Sequence, residues 1–289
     1  MAENSEGQPF FGANALIFGS AKGIGKGMAL EWARRGARVA IGDVDSDAAR
    51  ETAAEIEAAG GIAIAVEADV TSDNSMSAAV GKAEAALGEI DIVMNNVGAA
   101  LTGHPQDIPL DEWRRITELN YFGTLRSLEL FIPKMIARGR GHIVNTASFA
   151  GLYPYAISRI PYAAAKAAVI SLSENLAIYL EPQGIRVTCM IPGPVITDIM
   201  GTMKSWSDDC VLVGPGSEFA LIMPQDAAIT LSDGMRDGRI LVPTHEAVWD
   251  TLRQRSNSPD SFIRAKIAGY ASGDLGRPAL PGEHERTTK

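Results

Sequence analysis

Short apolar runs alternate with helical patterns along most of this chain, and that alternation leaves few architectures open. The runs cover residues 13–18, 38–43, 62–67, 90–94, 142–146 and 185–191. Helical patterns at 45–59, 75–87, 110–137 and 161–180 separate them. Strands joined through helices need crossover connections, so the expected fold is α/β, a doubly wound parallel sheet with helices on both faces. Such sheets bind ligands beyond the carboxyl ends of their strands. Gly19, Asp43, Asp69, Asn96, Ser148 and Pro192 all fall at those ends. A chain of 289 residues suits a single domain of this kind. We expect it to occupy residues 1–270, with residues 197–223 as a lid and 271–289 as a mobile tail.

The opening carries the first chemical signal. An apolar run at 13–18 leads into Gly19-Ser20-Ala21-Lys22-Gly23-Ile24-Gly25, and a helical pattern follows from Lys26. Glycines let the backbone turn sharply and let a pyrophosphate approach the free amides of a helix N-terminus. The spacing is G-x-x-x-G-x-G, which meets the logic of a dinucleotide turn rather than its commonest letter sequence. The next run ends at Asp43, 24 residues after Gly19, where a ribose-binding carboxylate is expected.

The second signal is Tyr162-Ala-Ala-Ala-Lys166. One helical turn puts both side chains on the same face. A nearby ammonium favours the phenolate, so the pair can act as acid or base. Of the six tyrosines, only Tyr162 has a lysine four residues on. Tyr155 has Arg159 at that spacing, but Pro154 and Pro161 make the stretch loop-like, so the two need not share a face.

Between about residues 12 and 200 these features resemble the short-chain dehydrogenase/reductase family, with its Rossmann-type fold. Gly19, Gly23 and Gly25 match the family's glycine motif, and Asp43 its acidic strand end. Asp69-Val70 matches an adenine-contacting pair, and Asn95-Asn96-Val97-Gly98 an Asn-Asn-Ala-Gly motif. Asn120, Ser148, Tyr162 and Lys166 match its catalytic set. Pro192-Gly193-Pro194-Val195 with Thr197 matches its nicotinamide-contacting turn. Ser20, Lys22, Ile24 and Val44 complete the expected cofactor contacts. The resemblance implies hydride transfer between a secondary alcohol and nicotinamide, with the protein positioning the cofactor and moving a proton. Tyr162 is then the proton donor or acceptor. Lys166 lowers its pKa and holds the nicotinamide ribose. Ser148 fixes the substrate oxygen, and Asn120 holds a water linking Lys166 to solvent. Asp43 favours NAD, while Lys22 keeps NADP as the alternative.

The resemblance also implies a homodimer or homotetramer built from the helices at 110–137 and 161–180. Leu125, Leu128 and Phe131 on the first, with Val169, Leu172 and Leu176 on the second, are the expected contact positions. Several departures stand out. Val97 replaces alanine, Phe18 replaces threonine, and Tyr162 follows Ser148 by fourteen positions, an interval whose Phe149, Leu152, Tyr153, Tyr155 and Ile157 read as an apolar wall of the substrate pocket. Beyond Thr197, Met200, Met203, Trp206, Val211 to Val213 and residues 219–223 read as an apolar lid over a roomy pocket. The expected closing strand with its glycine pair is missing, and residues 239–245 lead into further helix.

Net charge of −9 and a pI near 5.0 argue against nucleic acid or an anionic membrane as partner. No unbroken run approaches membrane-spanning length, and residues 1–8 lack a signal-peptide core. Cys189 and Cys210 are too few for a disulfide framework, so a reducing cytoplasm is expected. His104, His142, His245 and His284 are dispersed and form no metal-ligand spacing; His104 falls in a loop that could border the pocket. Two other readings share the fold. A cofactor-dependent isomerase or epimerase would be expected to carry a larger substrate region. A nucleotide-sensing protein would be expected to lack the tyrosine or lysine.

Overall fold

The computed structural model describes residues 9–197 and 203–280. The chain begins β1 (Asn14–Phe18), α1 (Gly23–Arg34), β2 (Arg38–Asp43), α2 (Ser46–Ala58), β3 (Ile62–Glu67) and α3 (Asp73–Leu87). It continues β4 (Ile92–Asn95), the short β5 (Leu101–Thr102), α4 (Leu110–Thr117), a π-helical turn (Glu118–Phe122) and α5 (Gly123–Arg138). Next come β6 (Gly141–Thr146), α6 (Phe149–Leu152), α7 (Ile160–Leu180), β7 (Ile185–Ile191) and the short β8 (Lys204–Ser205). The last elements are α8 (Pro224–Arg236), β9 (Leu241–Pro243), α9 (Val248–Asn257) and α10 (Pro259–Ala271).

Seven parallel strands form the main sheet in the order β3-β2-β1-β4-β6-β7-β9. The chain runs outward from β1 to β3, then returns to β4 on the other side of β1. That reversal opens the crevice in which such sheets hold ligands. Alternate residues feed the two faces. Ile17, Ile41 and Val144 pack with Met28 and Trp32 of α1 and with Leu231 and Met235 of α8. Leu16, Ala40 and Ile143 pack with Met76 and Val80 of α3, Phe131 of α5 and Leu180 of α7. Period-two alternation of apolar residues on both faces is why these runs form buried parallel strands rather than helices.

A polar chain crosses the second face. Asn95 Nδ2 donates to Asn145 Oδ1 (2.8 Å), and Asn145 Nδ2 donates to Ser173 Oγ (3.0 Å). The Ser173 hydroxyl donates in turn to the Val169 carbonyl (2.7 Å). Every link is buried, so β4, β6 and α7 share one register beneath the site.

Several expectations need correction. The helical pattern at 110–137 is interrupted by the π turn at Glu118–Phe122, for a reason that lies in Asn120. Leu128, Phe131 and Val169 are buried in the chain's own core and cannot face a second copy. β9 supplies the sheet edge that the sequence does not announce, since it is short and lacks a following glycine pair. Residues 275–279 of the expected mobile tail are tied down. Gly214 and Gly216 donate backbone bonds to Leu275 and Gly276, and Ala279 pairs with Phe219 and Leu221. Residues 281–289 and Met200 lie outside the described residues. Among the described residues, one stretch, Ile157–Gln183, is long and apolar enough to cross a membrane. Its body is α7, whose inner face packs on the sheet, and this helix carries Tyr162 and Lys166.

Gly25 makes a testable structural claim. A Cβ there would lie 1.9 Å from the Gly19 carbonyl oxygen, so the residue lets α1 close onto its own turn. Gly25→Ala should destabilise the fold by about 1–3 kcal/mol even without nucleotide, read from the denaturant midpoint. An unchanged midpoint would contradict this packing role.

Candidate active site

A cavity of about 930 Å³ runs along the carboxyl ends of the strands. At one end lie Gly19, Lys22, Gly23, Ile24, Asp43, Val44, Asp69 and Val70; at the other lie Ser148, Tyr162 and Lys166. Asn96, Gly98, Pro192, Gly193, Val195 and Thr197 also line it. Three expected residues do not line it. Ser20 is buried, and its hydroxyl donates to the Ile17 carbonyl (2.7 Å). Gly25 packs behind the turn, and Asn120 lies behind the wall.

The glycine turn is shaped by left-handed backbone. Gly19 has φ +76° and Gly23 φ +56°. A side chain at Gly19 would also strike Val97, 2.9 Å away, so the departure at Val97 tightens a position already reserved for glycine. Asn96 secures the turn by donating to the Gly19 carbonyl (2.7 Å). α1 begins at Gly23 without a side-chain cap, leaving its first amides for an anion.

The Asp43 carboxylate accepts from the Ala21 amide (3.0 Å) through one oxygen and from the Asp45 amide (3.1 Å) through the other. It is thereby aimed at the cavity. Lys22 forms an ion pair with Asp45 (2.8 Å). At Asp69 one oxygen accepts from the Thr71 amide and hydroxyl, which fixes that loop.

At the far end, Ser148 caps α6, accepting from the Ala150 amide (3.2 Å). Lys166 is buried, and its ammonium donates to the Thr146 carbonyl (2.8 Å) at the end of β6. Its Nζ lies 5.7 Å from the centre of the Tyr162 ring. Burial holds the Lys166 pKa down to about 8, against an ordinary 10.5. Burial raises the Tyr162 pKa, opposed by a hydrogen bond from Ser148 and by the charge of Arg159. Arg159 thus adds a second cation near the phenol, beside the Lys166 that the sequence pairs with it.

Asn120 explains the π turn. Its Nδ2 donates to the Ile116 carbonyl one turn back (2.9 Å) and to the Ala99 carbonyl (2.8 Å). The side chain takes the place of a backbone donor, and the helix widens around it. Its Oδ1 is buried without a partner. A Cβ on Gly98 would lie 2.8 Å from that oxygen and 3.3 Å from Lys166 Nζ. Asn120 and Lys166 therefore flank a small polar space that only glycine at 98 leaves open. The uncapped helix start, the aimed Asp43 and this polar space fit an extended dinucleotide.

Sequence reasoning missed part of the wall. Arg159, Gly214, Pro215, Arg277 and Pro278 line the cavity beside the expected Tyr155. The Tyr155–Arg159 spacing was the available signal, and the flanking prolines obscured it. Met203, Val211, Leu212, Val213 and Leu221 of the expected lid also face the cavity. Trp206 instead packs with Leu101, Ile108 and Ile116, and Phe219 is buried against Phe149. His104 does not line the cavity; it pairs with Asp209 (3.0 Å) and tethers its loop. His245 Nε2 donates to the Ala220 carbonyl (2.7 Å), its Nδ1 bonds the Thr244 hydroxyl (2.9 Å), and Thr244 Oγ1 accepts from the Gly193 amide (2.8 Å), so this corner supports the Pro192 turn.

Residues 13–208 match the short chain dehydrogenase family. The chain is 36% identical over 197 residues to the 7alpha-hydroxysteroid dehydrogenase of Escherichia coli (strain K12), covering 68% of this chain and 76% of that one. It is 38% identical over 196 residues to the trans-4-hydroxycyclohexanecarboxylate dehydrogenase of Sinomonas cyclohexanicum, covering 66% and 75%. A solved 7 alpha-hydroxysteroid dehydrogenase, complexed with NADH and 7-oxo glycochenodeoxycholic acid, superposes with a TM-score of 0.74. That match has 30% identity and covers 84% of this chain and 96% of that one. The chain belongs to the short chain dehydrogenase family and is an oxidoreductase of CH–OH groups.

The buried ammonium has a measurable cost. Below about pH 8 Lys166 is charged in both folded and unfolded chains, and folding carries the full penalty of burying it. Above its ordinary 10.5 the residue is neutral in both, and the penalty is gone. Lys166→Met should therefore stabilise the nucleotide-free protein at pH 7, by at most about 3 kcal/mol. The advantage should shrink between about pH 8 and 10.5 in paired denaturation curves. A variant less stable than the parent at pH 7 would show that the Thr146 bond outweighs burial.

Proposed function

We propose that the protein is an NAD-dependent dehydrogenase that interconverts a secondary alcohol and a ketone with a cyclic, largely apolar body. The observation that carries this reading is the placing of Ser148, Tyr162 and Lys166 at one end of a cavity whose other end is the glycine turn and Asp43. The nicotinamide, when bound, supplies or accepts the hydride. In reduction Tyr162 gives its phenolic proton to the carbonyl oxygen; in oxidation the phenolate takes the alcohol proton. Ser148 donates to the same oxygen and fixes it within reach of Tyr162. Lys166 holds the ribose hydroxyls and, through the space beside Gly98 and Asn120, passes a proton toward solvent.

Asp43 would accept from the adenosine ribose hydroxyls and repel a 2′-phosphate, which favours NAD. Lys22, the residue that could favour NADP, is directed to Asp45. Apolar residues 211–213 and Leu221 on the substrate wall favour a hydrophobic ring over a short polar alcohol. The named substrates of the hydroxysteroid and cyclohexanecarboxylate dehydrogenases above are cyclic too. The reading extends to residues 197–223 as a substrate cover, to a cytoplasmic setting and to a homodimer or homotetramer. Phe122, Ile178 and Tyr179 are exposed beside the half-buried Leu125, Leu172 and Leu176, and a second copy would cover them.

Tyr162→Phe keeps the ring and removes the proton. It should lower kcat by about a hundredfold or more while NADH affinity stays within a few-fold. Activity close to the parent would exclude Tyr162 as the acid. Because burial raises the Tyr162 pKa, reduction should hold steady through neutral pH and decline on the alkaline side. Oxidation should rise over that same alkaline range as phenolate forms, and a pH-independent oxidation rate would contradict the assignment. For the cofactor, kcat/KM with NADH should exceed that with NADPH, and Asp43→Ala should narrow the gap. A parent that prefers NADPH would overturn the NAD reading.

A further inference from the structure

We propose that the substrate carries a carboxylate, and that Arg159, assisted by Arg277, is the residue that recognises it. The proposal rests on the dehydrogenase reading above and names the substrate class of that same site.

Arg159 precedes α7, three residues before Tyr162, and lines the cavity. Its Nη2 donates to the Val213 carbonyl (2.9 Å), and its guanidinium lies 5.9 Å from the centre of the Tyr155 ring. Its Nε is buried without a hydrogen-bond partner. No carboxylate pairs with Arg159 or Arg277 among the described residues. Among the described residues, the carboxylates lining the cavity are Asp43 and Asp69, both at the strand ends beside the glycine turn. Among the described residues, the substrate end is therefore cationic and holds no counter-charge. A partly buried guanidinium without a counter-ion is costly unless a ligand supplies one.

Arg277 reaches the same wall through the backbone. Gly214 and Gly216 donate to Leu275 and Gly276 (2.8 and 2.9 Å), one residue from the Val213 carbonyl that holds Arg159. A guanidinium presents a planar fork that matches a carboxylate with two parallel bonds. Tyr155, Leu212, Val213 and Leu221 supply an apolar surface between. Arg159 also bears on the phenol of Tyr162, which places its charge within reach of the reacting end. A ring with its ketone or alcohol at Tyr162 and an acid group at Arg159 satisfies both ends.

The test compares NADH-dependent reduction of a cyclohexanone bearing a ring carboxylate with that of its methyl ester. The parent should favour the acid by about tenfold or more in kcat/KM. In Arg159→Gln that ratio should fall toward one, chiefly through KM for the acid. Arg159→Lys should restore part of it, and Arg277→Gln should lower it by a smaller factor. Equal use of acid and ester by the parent, or an unchanged ratio in Arg159→Gln, overturns the proposal while leaving the dehydrogenase reading intact. Failure to reduce either compound, or a panel of neutral ketones, overturns that reading and this one together. Should Arg159→Gln not fold, inhibition of the parent decides. Cyclohexanecarboxylate should compete at least about tenfold more tightly than the corresponding carboxamide, and equal inhibition overturns the proposal.

Discussion

The bond from the Lys166 ammonium to the Thr146 carbonyl is the constraint around which the site is arranged. It draws a charged side chain into a buried position at the end of β6, and the surrounding elements must keep it there. Ser173, two turns further along α7, is joined through Asn145 to Asn95, so the helix is pinned to β6 and β4 at a second point. With both points fixed, α7 cannot slide or rotate on the sheet. Tyr162, one turn before Lys166, is thereby placed beside Ser148, which follows β6 directly. The geometry of the reacting end is set by polar bonds under the helix, while apolar packing supplies most of the burial.

Electrostatics in this region divide the labour between two cations. Lys166 lies deep, and burial weakens its hold on a proton. Arg159 immediately precedes the same helix, and its charge opposes the rise that burial imposes on Tyr162. A lysine whose pKa is drawn toward neutrality can release and regain a proton. A guanidinium cannot, which suits it to holding a fixed charge near the substrate.

Much of this was legible in the chain. The glycine turn, Asp43 and the residues at strand ends follow from local rules, because turn and strand geometry are written in neighbouring residues. Tyr162 and Lys166 were legible because one helical turn separates them. What escaped depended on contacts between distant segments. The π turn at Glu118–Phe122 arises because Asn120 reaches Ala99 as well as its own helix, and no local pattern records that. Leu128, Phe131 and Val169 read as spare apolar positions, yet the chain's own core consumes them. The short β9 and the docking of residues 275–279 are held by backbone bonds to partners far along the chain, to which composition is blind.

That last docking changes how the substrate end should be understood. A free tail would leave residues 211–215 as a loop with one attached edge. Instead these residues are held from several directions. Val213 accepts from Arg159, Pro215 accepts from the buried Tyr153 hydroxyl, and Gly214 and Gly216 donate to residues 275 and 276. Further along, Phe219 is locked among Phe149 and His245. A wall fixed in this way is pre-shaped, so ligand binding need not bear the entropy of ordering it. The same bonds bring Arg277 to the cavity from a part of the chain beyond the family's matched region, which ends at residue 208. Ser148, Tyr162 and Lys166 come from the shared region, whereas residues 211–215, Leu221, Arg277 and Pro278 of the cavity wall come from sequence outside it. The substrate wall is thus assembled from both parts of the chain, Tyr155 and Arg159 from the matched region and Leu212, Val213, Leu221 and Arg277 from beyond it.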